Sequence, residues 1–195
     1  HDEALEPVFH AGISVVIKNT NNPSSPGTRI VPSRRTGRHP IVGIAANDGF
    51  CSIYVSKYLM NREIGFGRRI LQIFEDEDIS FEHTPSGIDN ISIIVHEKNF
   101  DINVEKRVEA RLRSELKAGE VTTERGLALV MIVGEGMRKS KGVAAKACRA
   151  FSHANINLEM INQGSSEVSM MFGIKATEAP NAVRALHSEF FPDSV

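Results

Sequence analysis

The chain has 195 residues, 41% of them apolar and 24% charged, with 23 basic against 24 acidic side chains and a formal net charge of -1. That content suits two hydrophobic cores of roughly 75 residues each, and a near-neutral balance with scattered basic residues is not that of a nucleic-acid binder. Cys51 and Cys148 show no CxxC or Cys/His spacing, so two buried thiols in a reducing cytoplasm are expected and no metal site, while the longest apolar run, residues 127–133, is far short of the ~20 residues of a membrane span.

In chain order, Ala4, Leu5, Val8 and Phe9 have helical spacing, ISVVIK (13–18) reads as a strand and NTNNPSSPGT (19–28) as turns. PSRRTGRHP (32–40) is polar, with two prolines and three arginines, and reads as an exposed linker. IVGIAA (41–46) is an apolar strand and FCSIYVS (50–56) a second one. A loop with two glycines follows at 60–67, then a helix striped by Phe66, Ile70, Ile73 and Phe74 that ends near Asp78. ISFEHT (79–84) is the next strand, Pro85, Ser86 and Gly87 form a turn, and NISIIV (90–95) returns as a strand. Val104, Val108, Leu112 and Leu116 stripe a second helix, capped by Asp101 or Asn103. EVTTER (120–125) closes a βαββαβ unit. The order then repeats: LALVMIV (127–133), a loop with Gly134, Gly136 and Gly142, a helix with Val143, Ala147, Phe151 and Ala154 on one face, INLEMI (156–161), EVSMMFGI (167–174), and a last helix striped by Ala179, Ala182, Val183, Leu186 and Phe190.

Laid over itself without gaps at an offset of 77, the sequence pairs Gly65 with Gly142, Phe74 with Phe151, Ile79 with Ile156, Glu82 with Glu159, Gly87 with Gly164 and Ser92 with Ser169; Met60 and Met137 extend the register. Two copies of one α/β unit are implied. The second copy lacks a sixth strand, and 41–46 is left over ahead of the first. A bare sheet edge is a liability, so 41–46 is expected to supply the missing strand, with one domain inserted in the other.

Catalytic signatures are thin. The seven histidines show no HExxH spacing, and Gly65, Phe66, Gly67 and Arg68 lack the GxxxxGK[ST] pattern of a phosphate loop. What recurs is a glycine-bearing loop feeding a helix N-terminus beside a strand with a carboxylate, Glu82 or Glu159. Unpaired helix amides suit a carboxylate and a side-chain carboxylate suits an ammonium, so a free amino acid fits the pattern. Glycines that only permit tight turns, with solvated glutamates, fit it too.

GFGRRILQIFEDEDISFEHTPSGIDNISIIV (65–95) and the LVMIVGEGM and INLEMINQGSSEVSMMFGI strings of 129–174 resemble the paired ACT domains of aspartate kinase. HDEALEPVFHAGISVVIKNTNNPSSPGT is similar to the last helix and strand of that family's amino-acid-kinase catalytic domain, and the start at His1 without Met is what a fragment of a longer protein would have. The resemblance implies an α+β fold of two ferredoxin-like ACT domains, the first inserted in the second. Residues 1–31 would be the catalytic-domain remnant, 32–40 the linker, 48–126 the first ACT domain, and 41–47 with 127–195 the second. It further implies a cytoplasmic homodimer, feedback inhibition by lysine or threonine of an aspartate kinase serving lysine, threonine and methionine synthesis, and ATP and Mg only in the full-length enzyme, with no catalytic residue, metal or cofactor in this fragment and no nucleic-acid or membrane partner. A purely structural dimerisation module and the regulatory subunit of a hetero-oligomeric kinase are the alternatives.

Carried onto this sequence, the family's effector site comprises Met60, Glu63, Ile64, Gly65, Phe66 and Gly67 from the loop, and Phe81, Glu82, Ser86, Gly87, Ile88 and Asp89 from the strand and turn. Amides of 65–67 would hold the ligand carboxylate, Glu82 an ammonium and Asp89 a lysine side-chain amine. Residues 84–89 depart from the Thr-Thr-Ser-Glu-like string of members with a lysine pocket. Asn157, Gln163 and Ser166 match positions that face a partner's first domain.

Overall fold

In the computed structural model the two strands expected at 41–46 and 50–56 are one, β3 (Gly43–Ser56), and those at 120–125 and 127–133 are likewise one, β5 (Glu120–Val133). Each long strand is kept continuous by a bulge. The β3–β5 register shifts between Asp48 and Ser52, and Gly49 (φ 81°) and Gly126 (φ 70°) supply left-handed backbone there at no side-chain cost. The structure describes residues 5–31, 39–166 and 168–192, so Ala4, the linker at 32–38, Glu167 and 193–195 lie outside the described residues.

The chain divides into two units at 38/39. In the first, α1 (Glu6–His10) precedes a hairpin of β1 (Val15–Ile17) and β2 (Thr28–Ile30), antiparallel with Val15 opposite Ile30. β2 falls partly on residues read as turns from their Pro, Gly and Ser content. No residue described in this unit is buried, and Phe9, Ile13 and Ile17 stand exposed.

The second unit adds α2 (Phe66–Asp76), β4 (Asn90–His96), α3 (Ile102–Leu116), α4 (Val143–His153), β6 (Met160–Asn162), β7 (Ser169–Lys175) and α5 (Ala179–Phe190). Its sheet is antiparallel throughout, in the order β4-β3-β5-β7-β6. Gly43 to Asp48 pair with residues 128–133 of β5, where the second copy was short of a strand, and Phe50 to Ser56 pair with β4. All four long helices lie on one face. Cys51, Ile53, Val55, Ile91, Ile93 and Val95 meet α2 and α3 in one core. Ala128, Val130, Ile132, Met170, Phe172 and Ile174 meet α4 and α5 in another. The helix caps follow sequence: Asp101 accepts from the amides of Asn103 and Val104 at 2.7 and 3.0 Å, and Val108, Leu112 and Leu116 are the buried stripe of α3.

The repeat carries a correction. Phe50 faces His96 and Leu127 faces Lys175, so the outer strands stand 79 apart (175 − 96) while the inner ones stand 77 apart (127 − 50). Glu82 and Glu159 still match, each amide bonding to the neighbouring strand, at Ile94 and Gly173. The second copy therefore holds two extra residues between Glu159 and Ser169, and Ser92 corresponds to Met171 rather than to Ser169.

Residues 79–84 were expected to form a strand and do not. They contribute one bridge, His83 to Ile94, and Ser86 within the following turn makes another to Ile91. Pro85 accepts from the Ser92 amide at 2.9 Å but has no N–H to return, which breaks the ladder. INLEMI is likewise reduced to β6. Cys51 is buried, and burial pushes its thiol up to about 12; Cys148, expected buried, is half-exposed. Among the described residues no helix is long and apolar enough to cross a membrane.

Candidate functional site

Gly65 takes φ 77° at the cap of α2, and no side chain caps that end. Of the amides expected to receive a carboxylate, that of Phe66 is taken by the Glu63 carbonyl at 3.2 Å. Those of Gly67 and Arg68 have no acceptor among the described residues. Beside them Glu63 is ion-paired to both Lys57 and Arg69. The Lys57 ammonium, and then Arg69, hold the Glu63 carboxyl below the usual carboxylate range. Paired to two cations, Glu63 is too engaged to serve a ligand ammonium. Lys57 also lies 5.2 Å from the centre of the Phe66 ring and donates to the Leu116 carbonyl at 2.8 Å, which fixes it over the loop.

Asp89 closes this end. Its carbonyl accepts from the Lys57 amide at 2.9 Å. Its Oδ1 is buried without a hydrogen-bond partner, a costly state for a carboxylate oxygen. Met60 and Phe66 are core residues, whereas Ile64 is 98% and Ile88 69% exposed. Loop and turn thus meet at one end of the first domain, with Met60, Glu63, Ile64, Gly65, Phe66, Gly67 and Asp89 together.

Glu82 is elsewhere. It follows the far end of α2 and bonds to Ile94, five residues along from Asp89, or about 16 Å at 3.3 Å per residue. Glu82 and the loop of the same chain therefore cannot grip the two charges of one amino acid, whose carboxylate and ammonium are borne by a single α-carbon. Phe81, 46% exposed, lies with it on the outer edge. Ser86 and Gly87 turn toward the helix-free face, where they line a cleft.

The second copy keeps the backbone and loses the charges. Gly142 caps α4 at φ 82°, and Gly134 takes the place of Lys57, its amide bonding to Val168 where Lys57 bonds to Asp89. Ser140 and Lys146 stand for Glu63 and Arg69 at the offset of 77. Asn157, Gln163 and Ser166 are all exposed; Asn157 donates to Glu159 at 3.0 Å, and the Ser166 carbonyl accepts from Arg138 at 2.7 Å. Lys57 and Arg69 were missed in the sequence because their partner Glu63 lies six residues from each, off any helical or strand period.

A shallow groove runs between helix and outer edge in each copy. Leu71, Glu75, Asp78, Ile79, Ser80 and Phe81 line the first, and Cys148, Ser152, Asn155, Ile156, Asn157 and Leu158 stand at the same places in the second.

Residues 130–190 match the ACT domain family. Over 98% of its length the chain is 58% identical to aspartokinase 3 of Bacillus subtilis, and it spans 42% of that protein. The crystal structure of Clostridium acetobutylicum aspartate kinase, described as an allosteric enzyme, superposes with a TM-score of 0.90 at 38% identity, covering 97% of this chain and 44% of that one. The regulatory subunit of aspartate kinase from Thermus flavus shares the fold at a TM-score of 0.66 and 24% identity, over 77% of this chain and 98% of that one. The chain thus spans less than half the length of the whole aspartokinases it matches. Sequence and fold together assign it to the ACT-bearing regulatory region of the aspartokinase family.

Proposed function

We propose that this chain is the effector-sensing part of an ATP-dependent aspartate kinase, and that lysine, threonine or both bind at the loop end of its first ACT domain to inhibit aspartate phosphorylation. The observation that carries this is that the free amides of Gly67 and Arg68 stand at the end of the domain to which Asp89, with its buried and unpartnered Oδ1, returns beside Lys57. The ligand carboxylate goes to the amides and its ammonium to Asp89. The second domain, with Val168 in place of Asp89, holds no such pair and serves as scaffold and interface.

The site is shared between two chains of a homodimer. Along α2, Arg68, Leu71, Gln72 and Glu75 form one stripe, with the charged ends exposed. Antiparallel packing about a two-fold axis near Leu71 sets Arg68 against the partner's Glu75 and carries the far edge of one chain toward the near end of the other. The partner's Glu82 then approaches the loop that its own chain's Glu82 cannot reach. Ligand affinity is complete only in one subunit arrangement, and a coupling of about 1–3 kcal/mol shifts activity roughly 5- to 150-fold. Residues 5–31, with exposed Phe9, Ile13 and Ile17, belong in this reading to the edge of the catalytic domain.

Calorimetry with lysine, threonine and diaminopimelate tests the reading. Asp89→Asn should abolish the heat while leaving the dimer intact. Wild-type chain that dimerises yet gives no heat with any of them would make it a purely structural module.

A further inference from the structure

Of the described strands, β3 and β5 alone run through both domains, and each carries one extra residue where it passes from one to the other. Asp48 faces Ala128 and Ser52 faces Glu124, and between these pairs only Phe50 and Leu127 stand opposite each other. Gly49 is the extra residue of β3, and the extra one of β5 falls at Arg125 or Gly126. A bulge takes backbone groups off the ladder, so both strands are weakened at the same level of the sheet. The two large cores share no residue. The small cluster of Phe50, Ile94 and Leu127 crosses the boundary, on the helix-free face. Two bulges side by side over a small apolar pivot have the form of a hinge.

Two consecutive side chains of the first domain take the backbone groups of both bulge glycines. His96, the last residue of β4, packs on Phe50 with ring centres 4.3 Å apart, and its Nδ1 lies 3.1 Å from the Gly49 carbonyl. A carbonyl only accepts, so the ring proton sits on Nδ1. Glu97 accepts from the Gly126 amide at 2.6 Å. Arg125 donates to the Phe100 carbonyl at 2.8 Å and to Glu105 at 2.5 Å, which ties the second bulge to the start of α3 as well. The second domain does not return this hold. Phe50 faces His96 where Leu127 faces Lys175, so Lys175 and Ala176 stand at the matching corner for His96 and Glu97. Lys175 is spent on the Glu124 side chain, and Ala176 has no group to offer a backbone amide.

We propose that the two domains hinge about the bulges at Gly49 and Gly126, and that His96 and Glu97 are positioning residues that clasp this hinge at one angle. β4 begins beside Asp89 and ends at His96, so the strand next to the loop end of the first domain is also the one that grips the bulges. A ligand that draws Asp89 along the strand changes that grip, and with it the attitude of the second domain, without touching the second domain. This ligand step rests on the effector reading; the clasp does not.

The test is the relative orientation of the domains, read from residual dipolar couplings of the isotope-labelled chain in a weakly aligning medium. One alignment tensor should fit the amides of both domains in the parent. With His96→Ala and Glu97→Ala combined, each domain should still fit a tensor of its own, the two should differ in magnitude, and exchange of the Gly126 amide should rise about 10-fold, as for a lost hydrogen bond to a charged group. His96→Asn with Glu97→Gln, which keeps a donor and an acceptor in place, should restore the single tensor. Protection of the amides of 53–55 and 170–174 reports the fold in each case, and Glu97→Ala alone decides by the same comparison if the double variant loses it. A single tensor in the alanine variants, or two in the parent, would overturn the clasp. For the ligand step, lysine or threonine should shift the amides of 127–133 in the parent, whereas Glu97→Ala should give the binding heat and leave them unmoved; equal shifts in both would overturn that step. No heat in the parent would sink the effector reading and the ligand step with it, while the couplings alone decide the clasp.

Discussion

Reversing the charge of Arg68 should weaken self-association, and reversing Glu75 in the same chain should restore it. The stripe of Arg68, Leu71, Gln72 and Glu75 on α2 (Phe66–Asp76) is self-complementary only when two copies run antiparallel, so the dimer proposed above would hold the Arg68–Glu75 contact twice. Surface pairs contribute about 0.2–1 kcal/mol each. At ~0.5 kcal/mol apiece, turning two attractions into two repulsions changes dimer stability by about 2 kcal/mol, close to 30-fold in Kd. Sedimentation over a dilution series at low salt should find Arg68→Glu and Glu75→Arg each weakened by that factor and the double swap within about 3-fold of the parent. The differences should shrink at 1 M salt, where the screening length falls to about 3 Å. A double swap as weak as either single, or an unchanged constant for Arg68→Glu, would refute the antiparallel helix contact.

Other outcomes follow from the packing. Phe172, fully buried between β5, α4 and α5, should cost about 3–5 kcal/mol as Phe172→Ala, read from urea unfolding. Gly134→Ala places a Cβ 2.5 Å from backbone atoms of Pro40 and Ile41, and should cost about 1–3 kcal/mol, with amide exchange rising first along 41–46 and 128–133. Burial holds His83 below its ordinary 6.5, and its Nε2 has no partner. The unfolded chain then takes up the proton first, so stability is full above pH 6.5 and falls as pH drops below it; His83→Gln should flatten that part of a melting-temperature profile between pH 8 and 5.

Much of this fold was legible because local pattern and tertiary need agree. The helical stripes at 66–74, 108–116, 143–151 and 182–190 are the buried faces, and the orphan strand at 41–46 pairs where a strand was short. Three features were not legible. Two inserted residues between Glu159 and Ser169 leave the hydrophobic alternation intact, so an ungapped comparison finds Ser92 and Ser169 by coincidence. The strand at 79–84 has strand composition, but Pro85 removes a donor that the ladder needs. Most consequential, sequence spacing set Glu82 opposite the glycine loop; the topology sends the chain down α2 first, so Glu82 emerges at the far end and Asp89 returns to the near one.

The central claim is that the loop end of the first domain grips a zwitterion between amides and Asp89. Calorimetric titration of the chain with lysine and with threonine, each at up to millimolar concentration, addresses it directly. The account predicts saturable heat for at least one, near one ligand per chain, lost in Asp89→Asn. Heat that persists unchanged in Asp89→Asn, or no heat from either amino acid alone or both together, would contradict it.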